Sequence, residues 1–252
     1  MYLNTKGLVL RVTPYNDTDA LLSVLTPNHG KLTVKARGLR RKNSPLTAPC
    51  QLLAYADFVL FEYRNMYTIN EAHSIELFSP LRKDLVKLSL GTYFAQAADT
   101  ISQEDLPNPE LLSLVLNCLY GLAKLDIPHV QIKAAFELRS ACIAGYTPDL
   151  QGCHRCACDS PDRFDLSEGH LECAECRNPE STGLRMPLTP GMLDAMRYIC
   201  FCDSRRLFSF SAAPETLEEL SHLSESYLST QLERGFSTLD FYKSLLIPMN
   251  AF

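Results

Sequence analysis

The chain carries two pairs of thiols, Cys153-His154-Arg155-Cys156 and Cys173-Ala174-Glu175-Cys176, separated by sixteen residues. Two residues inside each pair let both sulfurs converge on one ion while turn N–H groups face the thiolates. The intervening stretch is long enough for a hairpin that returns the second pair to the first. This spacing predicts a tetrahedral Zn²⁺ site with Cys153, Cys156, Cys173 and Cys176 as ligands. Four protein ligands leave no open coordination position, so a single structural zinc ion is expected and the function must lie elsewhere. The competing readings are two redox pairs or plain buried thiols. Cys158, His154 and His170 lie within reach and leave a permuted ligand set open, although the symmetric spacing favours the four named. Between the pairs, Phe164 and Leu166 flank Asp165, and Ser167-Glu168-Gly169 turns into His170-Leu171. That pattern is the small hairpin of a zinc ribbon.

A second group of residues could do chemistry of a different kind. In Lys31-Leu32-Thr33-Val34-Lys35-Ala36-Arg37, apolar and polar residues alternate. On a strand, Leu32, Val34 and Ala36 then face one way, and Lys31, Thr33, Lys35 and Arg37 the other. The run continues into Gly38-Leu39-Arg40-Arg41-Lys42, so six cations (Lys31, Lys35, Arg37, Arg40, Arg41 and Lys42) fall in twelve positions with no acid among them. A stripe of this kind neutralises phosphates and releases their counterions, giving DNA affinity that is independent of sequence and falls steeply with salt. The bland alternative is a solvated barrel face. Tyr15, Phe61, Tyr63 and Tyr67 are available to stack on bases, while Phe58 and Phe61 are expected to fill the barrel.

These residues must be positioned by elements of two periods. Residues 1–80 read as five short strands: Gly7–Val12, Ala20–Leu25, Lys31–Arg37, Ala56–Tyr63 and Met66–Ile75. Turn-like stretches lie at Pro14-Tyr15-Asn16-Asp17, Pro27-Asn28-His29-Gly30 and Arg64-Asn65. Five strands without intervening helices predict a small antiparallel β-barrel of the oligonucleotide-binding (OB) type. From Pro80 the period becomes helical. One helix carries Leu81, Leu85, Leu88, Tyr93 and Ala97, and a second, capped by Asn108, carries Leu111 to Leu119. A third starts near Asp126 with Pro128 in its first turn and stops at Gly145. Thr189-Pro190 opens a fourth helix through Cys202, and Pro214-Glu215 a fifth through Glu233, ended by Gly235. The fold class expected is α+β and multidomain. An OB barrel over 1–80 precedes a helical domain in two parts, 81–152 and 178–252, with a zinc ribbon inserted at 153–177.

Composition bounds the rest. At 252 residues, with 46% hydrophobic and 21% charged side chains, the chain is an ordinary globular sequence. The start MYLNTKGLVLRVTPY lacks the apolar core of a signal peptide, and no stretch approaches the ~20 apolar residues of a membrane span. A reducing, cytoplasmic setting is expected, with the paired thiols on metal rather than bonded to each other. Cys50, Cys118, Cys142, Cys200 and Cys202 then read as small buried hydrophobes. The net charge of −5 divides unevenly: residues 1–80 carry nine bases and six acids, the remainder fifteen bases and twenty-three acids. Six scattered histidines accompany no nucleophile motif, phosphate-binding loop or HExxH helix, so no enzyme is expected.

The order of parts resembles the RecO family of bacterial recombinational repair proteins. The resemblance rests on Gly7-Leu8-Val9-Leu10-Arg11, on Asp17-Thr18-Asp19-Ala20 leading into Leu22–Thr26, and on Gly30-Lys31. It extends through Lys35-Ala36-Arg37-Gly38 with its basic loop and Ser44. The most specific pieces are Phe136-Glu137-Leu138-Arg139 and Gly145-Tyr146-Thr147-Pro148-Asp149-Leu150, which runs into the first thiol pair. The resemblance implies a non-enzymatic protein that binds single- and double-stranded DNA, anneals complementary strands and works with RecR. It would help load the RecA recombinase onto DNA coated by single-stranded-DNA-binding protein, in the cytoplasm and on the nucleoid during repair. It also implies that the acidic, Phe-ended tail of that coating protein docks in the helical domain, with Arg139 facing its carboxylate; alternatively Arg139 pairs with a nearby acid. The rival function is a zinc-ribbon interaction module without DNA contact.

Overall fold

A computed structural model describes residues 1–64, 66–177 and 183–247. Five strands come first: β1 (Tyr2–Pro14), β2 (Ala20–Thr26), β3 (Gly30–Ala36), β4 (Tyr55–Tyr63) and β5 (Met66–Glu76). They close into a barrel in the order β1-β2-β3-β5-β4, which is the OB arrangement. All neighbours are antiparallel except β3 and β5, where Val34 pairs with Tyr67 in parallel. Parity requires this correction to the all-antiparallel expectation. β1, β2 and β3 alternate in direction, and β4 runs against β1. β5 runs against β4, so it ends up alongside β3 with the same sense. The Arg64 half of the expected turn between β4 and β5 adopts φ 50°, while Asn65 lies outside the described residues.

The barrel interior is filled as alternation dictates, by Val9, Leu22, Val24, Leu32, Val34, Phe58, Leu60 and Ile69. Burial of four consecutive residues, Gly7–Leu10, means that β1 is covered on both sides there. The outer cover is α1 (Leu85–Ile101), capped by Asp84, whose side chain accepts from the Lys87 N–H. α2 (Pro109–Lys124) starts where expected, with Asn108 Oδ1 accepting the Leu111 N–H at 3.0 Å. A short helix that the sequence reading did not anticipate, α6 (Ser237–Leu246), packs on α1: the Tyr93 and Phe236 rings meet edge-on at 5.4 Å and Gln96 bonds Thr238.

Two compact units result, one of residues 1–125 with 236–252 and the other of 126–235. The second holds α3 (His129–Ile143), α4 (Pro190–Phe201) and α5 (Pro214–Gln231), with a three-stranded sheet of β6 (Arg163–Asp165), β7 (His170–Glu172) and β8 (Arg185–Pro187). Thr189 caps α4 as expected, whereas Pro128 stands at the position just before the first turn of α3, without a side-chain bond to it. The expected hairpin is β6–β7, with Phe164 opposite Leu171. Gly169 turns it at φ +69°, and a Cβ there would lie 2.7 Å from the Tyr227 hydroxyl oxygen. The sheet is tied to α5 by the Phe164–Tyr227 ring contact at 5.1 Å and by Gln231, which donates to the carbonyls of Leu166 and Ser167.

Candidate nucleic-acid interface and metal centre

The six cations do not share one environment. Lys31 turns toward α1, where its Nζ donates to the Asp99 carbonyl at 2.6 Å and lies 3.6 Å from the Asp99 carboxylate. The same carboxylate accepts from Ser23 on β2 at 2.6 Å and pairs with Arg11 on β1 at 3.2 Å. One acid of α1 thereby pins three strands. Residues 103–105 lie against the start of β3: the Lys31 N–H donates to the Gln103 carbonyl, and Thr33 donates to Glu104 at 3.0 Å. Gly30, at φ +63°, lets Leu106 approach so closely that a Cβ would sit 2.3 Å from its carbonyl oxygen. The start of the outer β2–β3 face is therefore covered by the protein itself, while Thr33 stays exposed.

Toward the other end of β3 the surface opens. Lys35 pairs with Asp19 at 3.2 Å and lies over the exposed Tyr15 ring, 4.7 Å from its centroid. Asp19 also accepts the Gly38 N–H at 2.9 Å, which fixes where the basic loop leaves the strand. Arg40 is exposed, with its backbone N–H on the Thr18 carbonyl and its guanidinium on the Asn16 carbonyl. Arg37, Arg41 and Lys42 are exposed, and among the described residues their side chains carry no hydrogen bond or ion pair. The loop thus presents four cations to solvent, three of them uncommitted. Phe58 fills the barrel as expected, but Phe61 is 41% exposed on its outer wall, and Tyr63 is exposed beside it. Tyr67 is half-buried against the core.

The four cysteines converge. Their Sγ atoms all lie within 4.8 Å of one another, and Cys156 and Cys173 are 3.7 Å apart. A regular tetrahedron of metal–sulfur bonds about 2.3 Å long has edges of about 3.8 Å, so the donor set and its spacing fit one soft divalent ion. Burial raises the Cys153 thiol, but the N–H groups of Cys156, Arg155 and Cys173 outweigh it and bring the thiol down to about 6. Cys173 is lowered as well, chiefly by the Cys176 N–H, whereas the neighbouring Cys156 and Cys173 push the Cys176 thiol up to about 12. His154 stacks on His170 at 4.3 Å, outside the four-sulfur group, and Cys158 flanks it. A neighbouring trio, Asp165, His170 and Glu172, could also approach a cation, but Arg185 already pairs with both carboxylates.

In the second unit, Arg139 of α3 donates to the Cys202 carbonyl at 2.6 Å and contacts its Sγ at 3.2 Å, while its Nε has no partner among the described residues. Glu137 does not pair with it; that acid is engaged by Lys133 and Ser224. Cys202 lines an open cleft of about 1070 Å³ with Leu150, Tyr198, Phe201, the cations Arg197 and Arg206 and the acids Asp149, Asp194 and Asp203.

Residues 1–78 match the family described as Recombination protein O N terminal, and residues 82–240 the one described as Recombination protein O C terminal. The chain belongs to the recombination protein O family. A DNA repair protein RecO from Acetivibrio thermocellus is 33% identical over 246 residues, covering 97% of each chain. Another from Alkaliphilus metalliredigens is 31% identical, covering 97% of this chain and all of that one. A third, from Bacillus subtilis, is 28% identical over 90% of this chain.

In this chain, the structure brings Arg37, Arg40, Arg41 and Lys42 to one exposed end of the barrel. It sets Lys31 apart, against α1, and holds Lys35 beside Asp19. Sequence reasoning missed Asp99 and Asp19 as partners, and also the outward position of Phe61. A signal for Phe61 existed: residues 58 and 61 are an odd number apart, so they point to opposite faces of a strand.

Proposed function

We propose that the chain is a DNA repair and recombination mediator that binds single- and double-stranded DNA through its barrel and anneals complementary strands. In this reading it acts in the cytoplasm with RecR to help load RecA onto DNA coated by single-stranded-DNA-binding protein. The observation that carries it is the exposed, acid-free row Arg37, Arg40, Arg41 and Lys42 on an OB barrel of this family. Annealing breaks no covalent bond. It needs a surface that screens phosphate repulsion between two strands while the bases stay free to pair, and such a loop supplies that screening. Lys31 and Lys35 belong to the same interface but contribute less, because their charges are already met by Asp99 and Asp19. No catalytic residue is assigned.

Two further roles follow from the same reading. The four cysteines would hold one structural Zn²⁺, which fixes the sheet that packs on α5 and takes no part in chemistry. Arg139 would face the carboxylate of the coating protein's tail. No acid among the described residues neutralises it, and the adjoining cleft offers apolar walls beside Arg197 and Arg206, although Asp149, Asp194 and Asp203 line it too and Asp194 pairs with Arg197.

Strand annealing measured across salt concentrations tests the proposal. Reversing the charges at Arg40, Arg41 and Lys42 should remove most of the single-strand affinity and flatten its salt dependence by about three phosphate contacts. Unchanged affinity in that triple variant would sink the basic-loop assignment. Absence of any DNA binding, with a protein partner retained, would favour the interaction module instead.

A further inference from the structure

We propose that an aromatic shelf on the outer wall of the barrel stacks the unpaired bases of single-stranded DNA. The inference rests on the DNA-binding reading above and gives it a place for the bases. Tyr2, Phe61, Tyr63 and Met66 are 61%, 41%, 60% and 54% exposed. Isolated exposed apolar residues need no explanation, but these four are neighbours. Register sets Tyr2 opposite Phe61 and Tyr63 opposite Met66 on β1, β4 and β5. The Tyr2 and Phe61 rings stand 5.3 Å apart, tilted by 56°. With Arg37 and Asn70 they border a hollow of about 320 Å³ whose lining contains no acid.

Three features select a nucleic-acid strand as the occupant. First, the cations are placed for it: Arg37 borders the hollow, and Arg64 lies over the Tyr63 ring, 5.1 Å from its centroid. Second, the shelf is continuous with the proposed phosphate track. Arg37 is the residue that joins the hollow to Gly38 and the basic loop, so a backbone held by Arg40–Lys42 is delivered to its edge. Third, the start of the outer β2–β3 face is covered by Asp99 and residues 103–105, and the exposed Tyr15 ring already lies under Lys35, which leaves the shelf as an open aromatic cluster beside Arg37.

Stacking also suits the task. A ring packs on the face of a base and leaves its hydrogen-bonding edge outward, so a strand held here can still be read by its complement. Every base has such a face, so the contact tolerates any sequence. Bases in a duplex are stacked on one another and cannot use the shelf. It should therefore separate single strands from duplexes, which the phosphate track alone does not do.

The test compares the full chain with Tyr2→Ala/Tyr63→Ala and, separately, Phe61→Leu, all at one salt concentration. Ligands are oligothymidylate, an abasic strand of the same length, and a duplex. The chain has no tryptophan and eleven tyrosines, so the part of the emission quenching that Tyr2→Ala/Tyr63→Ala removes reports stacking at the shelf. The wild type should bind oligothymidylate at least tenfold more tightly than the abasic strand, with quenched tyrosine emission. The double variant should lose that margin and keep its duplex affinity. Iododeoxyuridine strands should photocrosslink to Tyr2, Phe61 or Tyr63, an outcome that does not depend on the variants folding. Wild-type oligothymidylate affinity in both variants, or crosslinks confined to other residues, overturns the shelf even if the basic-loop variant fails to bind. Loss of a protein partner with DNA binding intact also overturns it, in favour of a protein-docking surface. If the wild type binds neither strand nor duplex, the DNA-binding reading itself falls.

Discussion

Asp19 holds the exit of the basic loop. The Gly38 backbone N–H, against the opposing effect of burial, and then Asn16, Lys35 and Thr18 hold its carboxyl well below the usual carboxylate range. A depressed folded-state pKa contributes stability that is present above the unfolded value, about 3.9, and is lost as pH falls through and below it. Wild-type protein should thus be more stable than Asp19→Asn at neutral pH, and the gap between them should close on acidification below about pH 4. Thermal melting of both proteins across that range checks this; a gap independent of pH would show that the carboxylate's charge is not the cause. At this scale the sequence was only half legible. It showed which residues were basic and which face they took, because alternation is a local property. It did not show that Lys31 meets Asp99, because the acid sits 68 residues away on a helix. Ion pairing of that kind is set by tertiary packing, which no local spacing encodes.

Among the elements, α3 depends on a charge buried where helices are ordinarily apolar. Lys133 is 2% exposed and Glu137 fully buried; Lys133 pairs with Glu137 at 3.0 Å and with Glu225 of α5 at 2.9 Å, and donates to Ser221. Burial raises the Glu137 carboxyl, opposed by Lys133 and Ser224. Removing one partner of such a group leaves an uncompensated buried charge, so Lys133→Met should cost about 3–5 kcal/mol. Adding Glu137→Leu should recover part of that loss, and urea unfolding of the single and double variants measures both. An additive pair would mean that the two groups do not interact. The helices themselves were well marked by caps and periodicity, as at Asn108 and Thr189. The barrel strands were marked by alternation. α6 escaped because ten residues after Gly235, without a capping side chain, give too short a pattern to distinguish from a tail. β8 escaped because three residues carry no period at all.

For the whole molecule, the four-cysteine cluster and the basic loop fall in different compact units. Chelation should therefore lower the melting temperature of the 126–235 unit while leaving the barrel's single-strand affinity unchanged. Melting followed alongside DNA binding in the presence of a chelator reads both. Metal analysis of folded, tag-free protein should give about one zinc per chain, and a content near zero would refute the assignment. The pairing of α6 with α1 has a consequence for how the chain is made. The barrel-bearing unit is discontinuous in sequence, because residues 126–235 lie between α2 and the segment whose Phe236 ring meets Tyr93. That unit can close only with the last-made part of the chain, and a message cut short after codon 235 should yield a chain whose α1 lacks the Phe236 ring and the Gln96–Thr238 bond.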